Sequence, residues 1–220
     1  MRQSLFLALL FPFLLNAQSI SLDYGKSSSS FIYKKSNGEK LDNLSNKSGD
    51  ILSIRYSHPL SSKFDIGLGL QNNEYGAQSL DTDNNLSWDL SYVGLNLGFD
   101  YTFILLNKSG DSLSNNSRLL SAVINTSFSH SWLREGIQRI DNRIYDLKEF
   151  DGNFNNLMKL EFGVGLLYGL DDNTSLSLSY SINRGLTNME TANQELYLFA
   201  HHILFGVVID LKQNKNKEDE

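Results

Sequence analysis

Apolar and polar residues alternate at every second position in several segments of this chain, most clearly at residues 158–182. There Leu160, Phe162 and Val164 alternate with Glu161 and Gly163. Because successive side chains of a β-strand point to opposite faces, a period of two predicts strands. The chain has eight such segments, which lie around residues 20–24, 52–56, 64–70, 93–103, 120–128, 158–168, 176–182 and 197–209.

The polar face of these predicted strands carries mostly Ser, Gly and Asn. In a soluble barrel that face would meet water and should be rich in Lys and Glu. In a membrane barrel it lines the lumen, and a charge on the opposite, lipid-facing side costs about 2–4 kcal/mol at mid-depth. The apolar-face positions carry no charged residue. The pattern predicts an all-β fold, an eight-stranded antiparallel up-and-down transmembrane β-barrel. A soluble periplasmic lipocalin-like barrel, with its apolar face inward, is the alternative.

Charged residues on the polar faces fit the interior of such a narrow barrel. The lumen of an eight-stranded barrel is just wide enough to be filled by side chains, so Gly and Ser must leave room for larger groups. We expect the charges to compensate one another in a structural ion network, which we prefer over a proton or ion path. The predicted network consists of Arg55, Asp65, Asp100, Lys159 and Glu161.

The connections between the predicted strands alternate between long and short, with residues 59–62 and 169–173 forming the short ones. The connection at residues 106–117 takes a short-turn place in this order but is intermediate in length. Outer-membrane barrels have short periplasmic turns and longer outer loops, so both chain ends are expected to face the periplasm. Aromatic residues near the strand ends would then form two girdles at the membrane interfaces. The predicted girdle residues are Trp88 and Trp132 at the outer interface and Tyr56, Tyr101, Phe103 and Tyr168 at the inner one.

One predicted strand breaks its own alternation. Trp88 and Tyr92 share a parity, but the apolar positions then switch to Val93 and Leu95. A β-bulge near Tyr92 would restore the facing. Residues 27–33 also fit no simple alternation, so the first strand either bulges there or has already become a loop.

The two ends of the chain read differently from the middle. Residues 1–17 combine an early Arg2, an apolar run and Ala17, which is the layout of a secretory signal peptide. Residues 18–211 form the predicted barrel domain. Residues 212–220 are charged and are predicted to be a disordered periplasmic tail. The expected location is therefore the outer membrane.

Composition removes several classes of function. The chain has no cysteine, which excludes disulfides and thiolate chemistry. A sequence pI of about 5.2 without a basic stripe argues against nucleic-acid binding. His130 alternates with Ser129 and Ser131, so a nucleophile and base there would lie on opposite faces. We expect no catalytic site, no cofactor and no metal site.

Two stretches carry a family resemblance. YVGLNLGFDYTF at residues 92–103 and HHILFGVVIDL at residues 201–211 resemble strands of the small outer-membrane β-barrel domain family of Gram-negative bacteria, the OmpA/OmpX-like and PorT-like barrels. The resemblance covers roughly residues 18–211 and implies a scaffold used for many activities. One departure is the charged C-terminal tail, because barrels of this family often end on an aromatic residue that the assembly machinery reads.

The longest connection, residues 133–156, is the candidate carrier of function, since loops on a rigid scaffold often bind partners. Its isoleucines recur at helical spacing, which predicts either a short amphipathic helix on the rim or strand extensions beyond the membrane. The candidate contact residues are Ile137, Ile140, Tyr145 and Phe150.

The sequence predicts a non-enzymatic protein with a structural, adhesive or envelope-assembly role through its extracellular loops. A narrow pore for small solutes is the alternative function. The expected partners are outer-membrane lipid and lipopolysaccharide, the barrel-assembly machinery during insertion, and an envelope protein.

Overall fold

The computed structural model describes residues 18–34, 38, 44–79, 86–107, 119–141, 143–150, 152–171, 173–189 and 195–211. The predicted signal peptide and the predicted tail both lie outside these residues. The elements are β1 (Gln18–Lys34), β2 (Leu44–Pro59), β3 (Phe64–Ser79), β4 (Leu86–Asn107), β5 (Leu119–Ile140), β6 (Arg143–Asp146), α1 (Leu147–Phe150), a 3₁₀ turn (Gly152–Phe154), β7 (Asn156–Gly169), β8 (Thr174–Gly185) and β9 (Glu195–Leu211).

Eight of these strands close into an antiparallel barrel, as predicted. Each strand pairs with the next along the chain, except that β5 pairs with β7 because β6 is a short arm attached to the outer end of β5. The barrel closes where β1 pairs with β9, in a ladder that runs from Gln18 opposite Leu211 to Lys34 opposite Glu195. Full closure leaves no open edge around the barrel wall. No described helix is long and apolar enough to cross a bilayer.

The outer wall of the barrel is apolar, which rules out the lipocalin-like alternative. Side chains of every barrel strand point outward with large exposed fractions, for example Leu68 at 57%, Phe162 at 59% and Ile203 at 59%. A soluble protein rarely exposes an apolar surface this continuous, whereas a lipid-facing wall requires one. We call this surface the apolar belt. It is formed by residues that include Leu22, Ile54, Leu68, Leu97, Phe128, Phe162, Leu178 and Ile203.

The strands are longer than a membrane requires. A tilted strand crosses the hydrocarbon core with about 9–11 residues, but β4 and β5 contain 22 residues each. The excess extends beyond the belt at the end opposite the short turns, so much of the predicted long loops is strand. The predicted loop at 133–156, for example, begins as a continuation of β5 to Ile140. The sequence favoured loops there because the lipid-facing alternation stops above the membrane, although backbone pairing continues.

The predicted bulge near Tyr92 occurs at the right level but in the neighbouring strand. Ser91 pairs with Glu135 and Tyr92 with Leu133, so Arg134 is the extra residue, on β5. The facing of β4 never changes, since Trp88 and Tyr92 are buried inside, as are Gly94 and Asn96. What changes along β4 is the chemistry of the interior, which is apolar near Trp88 and polar below Tyr92.

The first strand continues without a break to Lys34, so residues 27–33 are neither bulge nor loop. The irregularity lies in β2, where the pairing with β3 shifts between Asn46 and Ile51. Ser29 bridges this gap from the neighbouring strand. Its buried Oγ accepts a hydrogen bond from the backbone N–H of Gly76 (2.7 Å) and donates one to the Gly76 carbonyl (2.9 Å). The serine thus replaces ladder hydrogen bonds that β2 does not make, because buried backbone groups need partners.

Candidate functional site: the sealed lumen and the outer rim

The outer half of the barrel interior is filled by apolar side chains. Tyr92 and Leu157 are fully buried there, and the Phe31 and Trp88 rings meet edge to face with centroids 5.3 Å apart. We call this cluster the outer plug. It consists of Phe31, Tyr75, Ala77, Trp88, Leu90, Tyr92, Leu133, Leu147, Phe154, Leu157, Met189, Leu196, Leu198 and Ala200.

The connection between β6 and β7 covers the outer plug from above. Leu147 of α1 and Phe154 of the 3₁₀ turn are both 3% exposed and belong to the plug. The Tyr92 hydroxyl donates a hydrogen bond to the Phe154 carbonyl (2.9 Å), which fixes this cover to β4. The outer mouth of the barrel is therefore closed by packed apolar side chains.

A layer of polar side chains lies directly beneath the outer plug. Lys159 is fully buried, and its Nζ donates hydrogen bonds to the Tyr75 hydroxyl (2.7 Å) and to Gln71 Oε1 (3.3 Å). The imidazole of His202 stacks on the Tyr75 ring with centroids 6.0 Å apart, and its Nδ1 lies 2.9 Å from Asn183 Nδ2. This layer satisfies the buried ammonium with neutral partners and separates the apolar half of the interior from the polar half.

The inner half of the interior is a polar chamber of about 160 Å³. Its walls carry serine, asparagine and carboxylate side chains from all parts of the barrel, and it is partly open. Among the described residues, the outer plug fills one end of the interior, and the chamber lies toward the end that carries the short turns. Within the described part of the chain, the lumen is therefore closed at the plugged end.

Arg55 and Asp100 form an ion pair in the wall of this chamber. Arg55 Nη2 lies 2.9 Å from Asp100 Oδ2, and Nη1 donates to Oδ1 at 3.2 Å, which is a two-pronged arrangement. Gly67 and Gly98 face each other across β3 and β4 beside this pair. A Cβ on Gly98 would come within 2.6 Å of Arg55 Nη2, and one on Gly67 would collide with Arg55 Nε. The glycines make room for the guanidinium.

The other predicted lumen charges are spread along the interior. Asp65 pairs in register with Asp100, so these two carboxylates lie at the same level, toward the inner end of the chamber. Glu161 faces the chamber near its closed end. Lys159 is the neighbouring residue of β7 that also points into the interior, and it lies closer to the outer plug. The structure therefore brings Arg55 and Asp100 into contact and gives Lys159 neutral hydrogen-bond partners, Tyr75 and Gln71, which the sequence did not identify because they are distant in the chain.

One predicted girdle residue is misplaced. Trp88 is 5% exposed and lies inside the outer plug, because its strand keeps its inward facing above the membrane. Trp132 lies on the outer wall, where its ring meets His130 with centroids 4.8 Å apart. At the inner end Tyr101 contacts Phe103 edge to face at 4.4 Å, and Tyr56 and Tyr168 also lie on strand faces that point outward.

Charged side chains appear on the outer wall immediately above the apolar belt. Asp89 accepts hydrogen bonds from Lys47 and Arg139, which joins β2, β4 and β5 on their outer face. A second group joins Asp50 to Lys26 and the Tyr24 hydroxyl. The sequence did not single out these residues. A change from apolar to charged residues at outward positions was the available signal, and it marks where the strands leave the membrane.

The β5–β6 hairpin divides the predicted loop-contact residues between two faces. Ile137 pairs with Asp146 and shares its face with Ile144, which is 69% exposed. Ile140 and Tyr145 lie on the opposite face. Phe150 ends α1, and its side chain lies outside the described part of the chain. Of the two predictions for this segment, strand extension is the correct one.

His130 does not form a nucleophile–base pair with Ser129 or Ser131. Ser129 and Ser131 are buried inside, while His130 points to the outer wall. His201 also points outward, where its Nδ1 lies 2.6 Å from the Tyr180 hydroxyl, whereas His202 is buried. Within the described ranges, no three metal-ligating side chains converge on one point.

The chain is similar to several solved structures. Neisserial surface protein A shares 10% identity over 86% of this chain and 96% of that chain, with a TM-score of 0.45. Ail, the attachment invasion locus protein of Yersinia pestis, was solved with the heparin analogue sucrose octasulfate and shares 13% identity over 89% of this chain and 100% of that chain (TM-score 0.42). The N-terminal β-barrel domain of OprF from Pseudomonas aeruginosa shares 12% identity over 87% of this chain and 99% of that chain (TM-score 0.39).

No family model matches the sequence, and no curated protein sequence matches it. The identification therefore rests on the molecule's own geometry. A closed ring of eight strands carries a continuous apolar belt, and charged side chains begin where the strands extend beyond it. This protein is a small β-barrel of the outer-membrane type.

Proposed function

We propose that the protein is a non-enzymatic, non-conducting scaffold of the outer membrane that acts through its extracellular strand extensions. In this proposal residues 1–17 direct export, the barrel-assembly machinery inserts the chain, and lipid and lipopolysaccharide surround the belt. The observation that supports it best is the outer plug, which fills the outer half of the lumen with apolar side chains.

A sealed lumen argues against the narrow pore. An ion on its way through would have to leave the polar chamber and pass Tyr92, Leu157 and Leu198, which are fully buried and apolar or aromatic. Removing the hydration shell of an ion in such surroundings costs many kcal/mol. The plug also holds the outer strands in fixed positions, which suits a binding platform.

Purified protein is expected to give no conductance steps in a planar lipid bilayer. The matched control is a variant with Leu90, Leu196 and Leu198 replaced by Ser, which hydrates the plug. Its closed barrel is verified by faster migration of the unboiled sample in SDS gels. Steps from the control together with a silent wild type support the seal. Discrete steps from the wild type would instead make the protein a pore.

The β5–β6 hairpin is the element we propose for partner contact. Its outer face combines the exposed Ile144 and Ile137 with Arg139, and Arg143 lies at its tip. Exposed apolar side chains beside arginine are typical of protein interfaces. Because the hairpin lies above the belt, lipid does not cover this face. A protein of the cell envelope is the partner that fits this chemistry.

A photo-crosslinking residue at position 144 is expected to give an adduct of one defined size in intact cells. Leu186 is the matched control position, since it is also exposed (47%) and follows the outer end of β8. An adduct at position 144 and none at position 186 supports the hairpin as the contact. Equal labelling at both positions, or none at 144, would remove the hairpin from the proposal.

A further inference from the structure

The polar chamber carries an excess of negative charge. Among the described residues that line it, the carboxylates of Asp23, Asp65, Asp100 and Glu161 accompany a single basic side chain, Arg55. The ammonium of Lys159 lies just beyond the closed end, so it reduces the excess without removing it. With every group ionised, two negative charges remain uncompensated by these residues.

Glu161 is the most deeply buried carboxylate of the chamber. Its side chain is 8% exposed and lines the chamber, and its Oε2 is buried with no hydrogen-bond partner among the described residues. Asp100 is held by Arg55, and Asp23 accepts a hydrogen bond from Ser177 Oγ (2.9 Å). A buried carboxylate oxygen without a donor is costly, and native proteins seldom leave one unoccupied.

The remaining wall suits a hydrated ligand. Ser53, Ser127, Asn96 and Asn125 line the chamber with hydroxyl and amide groups, and Asn125 Oδ1 is a second buried acceptor without a partner. Hydroxyl and amide groups both donate and accept hydrogen bonds, so they hold water as readily as an ion. A cavity needs about 10–15 Å³ of free space to hold one water molecule. A chamber of about 160 Å³ therefore holds a cation together with its first shell of water.

We propose that the chamber binds a small hydrated cation, which enters from the periplasmic end and is anchored by Glu161. The described carboxylates do not converge closely enough to chelate a bare metal ion, so the cation is held through its own N–H or O–H groups and through water. An inorganic divalent ion and a short aliphatic diamine present the same chemistry, which is double positive charge with outward-pointing donors.

Calcium and 1,4-diaminobutane are the two probes, each titrated calorimetrically into the full-length protein folded in zwitterionic detergent at constant ionic strength. Glu161→Gln removes one charge and keeps the shape of the side chain. Glu135→Gln is the matched control, because Glu135 makes its ion pair with Arg134 on the exposed outer extension. Asp65→Asn, at the inner end of the chamber, is a second variant. All four proteins carry the same tail, which therefore cancels in the comparison.

The wild type and Glu135→Gln are expected to bind at least one probe with the same affinity. Glu161→Gln should weaken binding by about tenfold or more, and Asp65→Asn by a smaller factor, because a lost charge acts more weakly from further away. Each variant must first show the faster unboiled band of a closed barrel. Equal binding by the wild type and Glu161→Gln, or no binding by the wild type, overturns the proposal.

Discussion

Replacing Gly25 by alanine is expected to prevent the barrel from closing. Gly25 lies on β1 opposite Leu204 of β9, in the ladder that joins the first strand to the last. A Cβ at this position would collide with the backbone carbonyl of Ile203. Because the obstacle is backbone, no side-chain rotation relieves it and the seam must separate. Overpacking lowers the free energy of unfolding by about 1–3 kcal/mol when a core can adjust. Because this seam cannot adjust, we expect the substitution to lower it by at least about 3 kcal/mol.

The measurement is the mobility of the unboiled protein in SDS gels, together with urea unfolding of whatever fraction folds. Gly165→Ala is the matched control, because Gly165 also faces the interior and receives the same substitution. A Cβ there would lie 3.1 Å from the Leu178 carbonyl oxygen, which a shift of a few tenths of an ångström relieves. The control should fold, and its free energy of unfolding should fall by less than about 1 kcal/mol. A Gly25→Ala barrel with normal mobility and stability would show that the β1–β9 seam tolerates the methyl group.

Replacing Tyr92 by alanine is expected to lower the free energy of unfolding by about 3–5 kcal/mol. Tyr92 is fully buried at the level where the interior changes from apolar to polar, and its ring lies 6.2 Å from that of Tyr75. Truncation removes the ring from the outer plug and leaves a cavity beside the 3₁₀ turn that carries Phe154. The loss is measured by urea unfolding of the protein folded in lipid vesicles.

Tyr92→Phe separates packing from hydrogen bonding. It keeps the ring and removes only the hydroxyl that donates to the Phe154 carbonyl. The free energy of unfolding of this variant should fall by about 0.5–1.5 kcal/mol, which is the usual net contribution of one such hydrogen bond to stability. Similar losses from alanine and phenylalanine would mean that the plug collapses to fill the space, and that packing around Tyr92 contributes little to the seal.

The sequence predicted the part of the barrel that lies within the membrane because lipid imposes a strict rule on every outward position. Leu68, Phe162 and Ile203 obey it, and all three were assigned to the correct face. Arg55 and Asp100 were assigned to the lumen for the same reason. The eight-stranded fold follows from this rule alone, since every barrel strand crosses the same apolar layer.

Above the membrane the rule no longer applies, and there the predictions failed. Outward positions turn polar, as at Asp89, while inward ones turn apolar, as at Trp88. In the sequence this exchange has the same pattern as a change of facing, which is why a bulge was predicted in this strand. The partners of Lys159 were also beyond prediction. Tyr75 and Gln71 lie more than 80 positions away in the chain, and only the closed barrel brings them together.

The arm formed by β6 has a consequence for contacts between copies of the protein in a crowded membrane. β6 is the last strand of the sheet, and the edge that faces away from β5 pairs with no other described strand. An unpaired strand edge can pair with the same edge of a neighbouring molecule. This edge is only four residues long and carries Arg143 and Asp146 at its two ends, and α1 follows at once. Short length and terminal charges discourage intermolecular β-pairing. Densely packed copies should therefore stay separate instead of joining into ribbons.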